Sequence, residues 1–185
     1  MKTVIIGGVA AGMSAASKLK RLLGDAVEIV VYEKGGEVSF GACGIPFYIS
    51  DHIKQGKELI ARTAEEFAKS GIPVKIYHEV TAVDTDARTV TVKNLQTGEV
   101  FDDTYDKLVI GSGAGVRHFP PFDRSYTNLF EIRDVADGTR VKQALLDENQ
   151  RHVVIVGAGF IGLELSEACR HYGKEVTVVE LAEHV

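Results

Sequence analysis

This 185-residue chain contains two glycine-rich motifs, each followed by a glutamate. The spacing of these residues is the feature that points most directly to a chemical function. The second motif places Gly157, Gly159 and Gly162 ahead of Glu180. A glycine turn between strand and helix lets backbone N–H groups approach a pyrophosphate at the positive end of the helix dipole. An acid after the next strand hydrogen-bonds a ribose hydroxyl. The motif predicts a dinucleotide site formed by Gly157, Gly159, Phe160, Ile161, Gly162 and Glu180. The alternative is a glycine-rich turn of another α/β protein.

The first motif departs from this pattern because Val9 stands where the second glycine belongs. Its backbone still approaches a phosphate if Val9 takes a permitted conformation, and Glu33 again supplies the acid. A second dinucleotide site is therefore predicted, with a non-binding βαβ unit as the alternative. Its residues are Gly7, Gly8, Val9, Ala10, Ala11, Gly12 and Glu33. In the other motif, the Glu180 carboxylate would repel a 2′-phosphate, which favours NAD over NADP.

An internal repeat supplies the elements that must position both motifs. Each motif follows a Val/Ile-rich run and precedes a stretch with helical spacing, then an apolar strand that ends in glutamate. Such continuous apolar runs are typical of buried parallel strands. The sequence therefore predicts an α/β protein with two initial βαβ units, one near each end of the chain.

The segment between the two copies of the repeat has a different sequence pattern. A capping box at 63–66 begins a short helix, and short β-like runs at 74–77, 79–83, 89–92 and 99–101 predict an antiparallel appendage. Residues 107–110 are expected to form a buried strand that ends in a glycine-rich segment. Residues 118–121, with two prolines, form an expected extended linker, and 135–146 a helix.

Composition excludes several functional classes. The net charge is −5, with 45% hydrophobic residues, which argues against nucleic acid or an anionic membrane as a partner. No apolar run approaches the ~20 residues that span a bilayer. The six histidines lack metal-ligand spacing, so no metal site is predicted. Two cysteines without a disulfide framework fit a reducing, cytoplasmic location.

Cys43 is the reactive side chain nearest to the first motif along the chain. It lies in a Cys-Gly-x-Pro segment shortly after Glu33. If Cys43 begins a helix, the dipole would favour its thiolate; the other reading is a small buried hydrophobe. Cys169, within the helix of the second repeat, is interpreted as a packing residue.

These segments together resemble the FAD-dependent pyridine nucleotide-disulfide oxidoreductases. The resemblance rests on residues 4–12, 33–34, 39–46, 78–80, 111–114 and the second glycine motif. It is strongest for the single-cysteine branch, which comprises coenzyme A disulfide reductases, NADH oxidases, NADH peroxidases and persulfide reductases. It implies a Rossmann-like FAD-binding domain with an antiparallel appendage, followed by the opening of a Rossmann-like NAD-binding domain.

The resemblance also assigns ligands to particular residues. FAD occupies the first repeat, NADH the second, and Cys43 faces the flavin ring. The implied additional cofactor residues are Lys34, Val80, Gly111, Ser112, Gly113, Ala114 and Glu164. Tyr48 stands where dithiol members carry a second cysteine, so an internal disulfide at that spacing is excluded.

Members of the single-cysteine branch differ in their electron acceptor. Peroxidases and oxidases usually carry a histidine at the position of Ala10, so its absence favours a small disulfide or persulfide over oxygen or peroxide. The coenzyme A disulfide reductases hold coenzyme A at positions matching Ser14, Lys18, Arg21 and Ser39. Ala42, however, replaces their typical asparagine. A non-catalytic dinucleotide-binding module is the alternative of another class.

The length predicts an incomplete protein. The expected divisions are an FAD-binding segment at 1–116, a linker and helix at 117–150, and the start of an NAD-binding domain at 151–185. A single βαβ opening does not cover both faces of its own sheet. The chain is therefore expected to be truncated and inactive alone, and full-length relatives are usually homodimers.

Overall fold

The computed structural model describes residues 1–116 and 125–184. The strands are β1 (Lys2–Ile6), β2 (Glu28–Tyr32), β3 (Val74–Lys75), β4 (His78–Asp84), β5 (Thr89–Asn94), β6 (Val100–Thr104), β7 (Lys107–Ile110), β8 (His152–Val156) and β9 (Glu175–Val179). The helices are α1 (Ala10–Leu23), α2 (Ile45–Ile49), α3 (Ala64–Lys69), α4 (Val135–Leu146) and α5 (Phe160–His171). The expected linker at 118–121 lies outside the described residues.

Two compact units divide the chain. The first contains Met1–Phe40 and Ile60–Ala114, and the second contains Gly41–Leu59 and Gly115–Val185. The segment that carries Cys43 is therefore grouped with the second unit, although it lies between two parts of the first along the chain.

A parallel sheet of order β3-β2-β1-β7 organises the first unit. Its central strands β1 and β2 pair from Lys2 with Glu28 through Ile6 with Tyr32. Because alternate residues of a strand point to opposite faces, one face packs with helix α1 in a cluster that includes Ile5, Met13 and Ile29. The opposite face packs Val4 and Val30 against β5 of the appendage.

The appendage is an antiparallel sheet of order β4-β5-β6. The antiparallel prediction is confirmed for these three strands. It is wrong for residues 74–77, because β3 pairs in parallel with β2, through Val31 with Val74 and Tyr32 with Lys75. The partner of such a short strand is decided by tertiary contacts rather than by its local pattern.

The prediction for residues 107–110 holds for the strand but not for its burial. Strand β7 pairs in parallel with β1, yet Leu108 and Val109 are only half-buried and Ile110 is 66% exposed. Strand β7 is the last in the order of this sheet, so among residues 1–116 and 125–184 it has a strand neighbour on one side only.

The second unit contains the other repeat. Strands β8 and β9 pair in parallel, from His152 with Glu175 through Val156 with Val179, and helix α5 lies between them in sequence. Helix α4 has the predicted bounds and begins with a capping box of Asp134 and Asp137. The α/β fold, with its antiparallel appendage and a second βαβ opening, is therefore confirmed.

Candidate functional site

The first glycine loop is built from backbone in close contact. Gly7 has a φ of 100°, a left-handed conformation that glycine adopts without steric cost, and its N–H donates to the carbonyl of Tyr32 at 2.8 Å. A Cβ on Gly12 would collide with the carbonyl oxygen of Gly7. The two glycines therefore let helix α1 start directly against the end of strand β1.

Glu33 is joined to this loop by its carboxylate. Oε2 accepts a hydrogen bond from the N–H of Gly8 at 2.6 Å, and Oε1 accepts one from the N–H of Gly35 at 2.7 Å. The side chain is buried, and these two N–H groups satisfy its carboxylate oxygens there. Gly35 was not among the predicted site residues; the signal in the sequence was the glycine pair that follows the acid.

The second glycine loop has the same backbone conformation and hydrogen bonds as the first at its leading glycine. Gly157 has a φ of 102°, and its N–H donates to the carbonyl of Val179 at 2.8 Å. A Cβ on Gly162 would collide with the carbonyl oxygen of Gly157. The N–H of Ala158 donates to Oε2 of Glu180 at 2.6 Å, which corresponds to the bond between Gly8 and Glu33.

Glu180 differs from Glu33 in its surroundings. It is exposed, and its Oε1 accepts from the N–H groups of Leu181 at 2.7 Å and Ala182 at 2.9 Å. The hydrogen bond from Ala182, with those from Ala158 and Leu181, holds the pKa of Glu180 below its usual value. The carboxylate is therefore ionised at neutral pH.

The helices that follow the two loops begin without side-chain caps. Helix α1 has Val9 and α5 has Gly159 at the N-cap, neither forms a side-chain cap hydrogen bond, and neither helix has an acid in its first turn. Helices α3 and α4, in contrast, begin with complete capping boxes. First-turn N–H groups without a side-chain acceptor suit an anion such as a pyrophosphate. Val9 keeps a negative φ of −103°, so the left-handed conformation falls at Gly7.

The segment after strand β7 contacts the first loop. The N–H of Gly111 donates to the carbonyl of Ile6 at 2.7 Å, and a Cβ on Gly7 would collide with the carbonyl of Gly111. Ser112, Gly113 and Ala114 follow in exposed positions. The structure thus brings the beginning of this predicted segment onto the first loop.

The remaining predicted cofactor residues are divided between the two units. Lys34 is exposed directly after Glu33. Val80, on β4, is half-buried and packs against the cluster of Val90 and Val92. In the second unit Phe160 is 89% exposed, Ile161 58% exposed, and Glu164 exposed, all on helix α5.

The predicted substrate residues fall on α1 and the chain after β2. Ser14, Lys18 and Arg21 are all exposed on α1, in keeping with their predicted common face. Ser39 has a φ of 51°, and its N–H donates to the carbonyl of Gly8 at 3.0 Å. Its backbone is therefore fixed to the glycine loop.

Cys43 is exposed and Cys169 is buried. Cys43 lies in a 3₁₀ turn, Ala42–Gly44, and the α-helix begins two residues later at Ile45. Burial raises the pKa of the Cys169 thiol, and the charge of Lys174 offsets part of that shift. These surroundings make Cys43 the accessible thiol and Cys169 a packing residue.

The described residues contain neither a metal-binding cluster nor a helix that could span a membrane. Among residues 1–116 and 125–184, no group of three or more His, Cys, Asp or Glu side chains is arranged to hold a metal ion. In the same residues, no helix combines the length and apolar character needed to cross a membrane.

Comparisons with known proteins cover the whole chain. Coenzyme A disulfide reductase of Staphylococcus haemolyticus is 37% identical over 185 residues, which are 100% of this chain and 41% of that protein. The NAD-dependent persulfide reductase of A. fulgidus is 32% identical, with a TM-score of 0.91, and 34% of it is covered by all of this chain. The water-forming NADH oxidase of Lactobacillus brevis, solved with NADH, is 30% identical with a TM-score of 0.88; the match covers 97% of this chain and 39% of the oxidase.

The chain thus spans about two fifths of the length of the curated relative that it matches. Residues 1–185 match the family model described as pyridine nucleotide-disulphide oxidoreductase. With both glycine loops, both acids and the sheet order in place, the chain belongs to the pyridine nucleotide-disulphide oxidoreductase family.

Proposed function

We propose that this protein is an FAD-dependent oxidoreductase that passes electrons from NADH to Cys43, where a small disulfide or persulfide is reduced. The observation that carries the proposal is the duplicated bond between acid and loop, from Gly8 to Glu33 and from Ala158 to Glu180. Each unit contains one such arrangement, and the pair suits two dinucleotides, NADH as the electron donor and FAD as the group that receives the electrons.

The first loop fits FAD. Its uncapped helix start offers N–H groups to a pyrophosphate, and the close backbone contact of Gly7, Gly12 and Gly111 leaves no room there for a Cβ. Glu33 would bind the adenosine ribose, with Lys34 and Val80 beside it. When bound, FAD supplies the group that accepts a hydride from NADH and passes on two electrons.

The second loop fits NADH. Gly157–Gly162 would hold the pyrophosphate, and Glu180 would bind the ribose. Phe160, Ile161 and Glu164 lie nearby on helix α5. Because the pKa of Glu180 is lowered by three backbone donors, its negative charge persists at neutral pH. This charge would repel the 2′-phosphate of NADPH, which favours NADH.

Cys43 is the group that would meet the substrate. Its thiolate attacks one sulfur of a disulfide RSSR, forms a mixed disulfide with RS, and releases RS⁻, which takes up a proton. Two electrons from NADH and one proton then return Cys43 to the thiolate and release the second RSH. The sum is NADH, H⁺ and RSSR giving NAD⁺ and two RSH. Exposure of Cys43 permits this attack, and burial of Cys169 keeps the second thiol out of it.

The similarity to coenzyme A disulfide reductase and persulfide reductase favours a substrate with a low-molecular-weight thiol, such as coenzyme A disulfide. Ser14, Lys18, Arg21 and Ser39 would bind it, because exposed cations on α1 suit phosphate groups. We place the reaction in the cytoplasm, where an exposed free thiol is maintained in its reduced form.

Anaerobic titration of the full-length protein with NADH and coenzyme A disulfide tests this proposal. We expect a yellow protein whose flavin absorbance bleaches with NADH and returns when the disulfide is added. The variant Cys43→Ser should bleach with NADH and lose disulfide turnover. If Cys43→Ser kept full disulfide turnover, the mechanism would be wrong.

The similarity to the Lactobacillus brevis enzyme favours a second candidate, an NADH oxidase or peroxidase that reduces oxygen or peroxide through a Cys43 sulfenic acid. Ala10, where such enzymes usually carry a histidine, argues against it. Rapid NADH-dependent oxygen consumption without added thiol would decide for this candidate. A colourless protein that binds NAD would instead indicate a non-catalytic binding module.

A further inference from the structure

The helix next to Cys43 is too short to hold its own position. Helix α2 comprises the five residues Ile45–Ile49, and isolated helices of fewer than ~12 residues are marginal in water. The Cys43 turn runs directly into it, because the N–H of Ile45 donates to the carbonyl of Ala42. Whatever fixes α2 therefore fixes the direction of the Cys43 thiol.

Contacts from α4 and from the end of α5 fix α2 within the second unit. The hydroxyls of Tyr48 and Thr139 lie 3.1 Å apart in a hydrogen bond, and the hydroxyl of Tyr172 donates to the carbonyl of Ile49 at 2.9 Å. A Cβ on Gly138 would lie 2.8 Å from Cγ2 of Ile45. Glycine is a poor helix former, and this close approach of α2 explains its presence within α4.

Lys142 joins two of these contacts. Its Nζ donates to Oδ1 of Asp51 at 2.8 Å and lies 4.5 Å from the centroid of the Tyr48 ring, a cation–π distance. The Lys142 side chain is only 13% exposed. One side chain of α4 thus contacts both the last turn of α2 and Asp51, two residues after its end.

Asp51 is an unfavourable residue at its position for two reasons. Its φ of 64° lies in the left-handed region, which residues with a Cβ adopt only uncommonly. A carboxylate just past the C-terminus of a helix also opposes the helix dipole. The ion pair with Lys142 is the compensating interaction that joins two elements, whereas the pair with Lys54 lies within residues 51–54.

We propose that Lys142 is a positioning residue for Cys43, acting through the Asp51 carboxylate and the Tyr48 ring to hold α2. This inference rests on the proposed function, in which Cys43 reacts with substrate. Without Lys142, α2 would keep its covalent connection to Cys43 but lose the contact that fixes its orientation. A displacement of about 1 Å is enough to cost up to 10²-fold in rate.

The test compares two activities of the FAD-loaded, full-length protein. NADH-dependent reduction of coenzyme A disulfide requires Cys43, whereas ferricyanide takes electrons directly from a reduced flavin. For Lys142→Met we expect the kcat of disulfide reduction to fall about tenfold or more, with ferricyanide reduction within twofold of wild type. Lys142→Arg, which keeps the charge, should restore most of the disulfide activity.

Lys54→Met is the matched control. It removes the other ion pair of the same carboxylate, at 2.6 Å, without separating α2 from α4, so both activities should stay within twofold of wild type. Lys142→Gln provides the same comparison if Lys142→Met fails to fold, as judged by circular dichroism. Equal losses in both assays, or disulfide reduction unchanged in the Lys142 variants, would refute the positioning role.

Cys43→Ser separates this inference from the proposed function. Full disulfide reduction by Cys43→Ser would refute the proposed function and the inference with it. Loss of activity in Cys43→Ser together with normal activity in Lys142→Met would refute the inference alone.

Discussion

The carboxylate of Glu33 accepts a hydrogen bond of 2.6 Å from the backbone N–H of Gly8. This bond connects the end of strand β2 to the turn after strand β1, so it holds the acid against the glycine loop. The same connection, at the same length, joins Glu180 to Ala158. Each acid therefore has a structural role in its loop as well as a predicted role in binding ribose.

Glu33→Ala is expected to weaken FAD binding by tenfold or more. The substitution removes a buried charged acceptor and leaves the N–H groups of Gly8 and Gly35 without it, a loss of about 1.5–3 kcal/mol for each such bond. The dissociation constant of FAD, measured by flavin fluorescence, checks this. Glu28→Ala, an exposed position at the start of the same strand, should leave it unchanged. Equal affinities for both variants would contradict a role for Glu33.

Much of the fold was predictable because it is encoded locally. The helix at 135–146 has its capping acids next to it in the sequence, and the repeated Val/Ile runs predict the parallel strands. The partner of β3 was not predictable, because it depends on contacts between Val31 and Val74. The contact between Asp51 and Lys142 joins residues 91 positions apart, and no local pattern records it. The roles of the predicted site residues stay predictions.

Alanine substitution should affect the melting temperature differently at two glycines of the second loop. In Gly162→Ala the new Cβ would collide with the carbonyl of Gly157 and lie 3.3 Å from Cγ2 of Ile155. Overpacking of this kind costs typically 1–3 kcal/mol, so the melting temperature should fall. In Gly159→Ala the Cβ meets no atom within 4 Å, and the φ of −69° suits alanine.

For Gly159→Ala we therefore expect an unchanged melting temperature and weaker NADH binding, because the methyl group stands where a pyrophosphate would approach the backbone. Thermal unfolding and NADH titration of both variants provide the measurements. A melting temperature lowered equally in the two variants would contradict the open space at Gly159 and the close contact at Gly162.

The two cysteines are expected to differ sharply in reactivity. In native protein treated with iodoacetamide, peptide mass mapping should find Cys43 modified rapidly, since it is exposed. Cys169 should react only after unfolding, because it is 3% exposed and burial raises the pKa of its thiol. Cys43→Ser serves as the control and should abolish the rapid modification. Modification of Cys169 at a comparable rate in native protein would contradict its assignment as a packing residue.

Acid should remove the stabilising contribution of Asp51 in a defined range. Hydrogen bonds from Lys142 and Lys54 lower the pKa of Asp51 to about 2, against about 3.9 in an unfolded chain. A lowered folded-state pKa stabilises the protein above the unfolded value, and this contribution disappears as the pH falls through the folded value. Asp51→Asn removes the charge and tolerates the positive φ, so it isolates the ion pairs.

The difference in free energy of unfolding between wild type and Asp51→Asn should therefore be constant above about pH 5. Below that the difference should shrink, and the part due to the ion pairs should disappear only as the pH falls through about 2, as measured by urea denaturation at a series of pH values. Asp86→Asn, at an exposed aspartate in the turn between β4 and β5, is the matched control for the substitution itself. A difference for Asp51→Asn that persists unchanged to pH 2 would mean that Lys142 and Lys54 do not hold its carboxylate in solution.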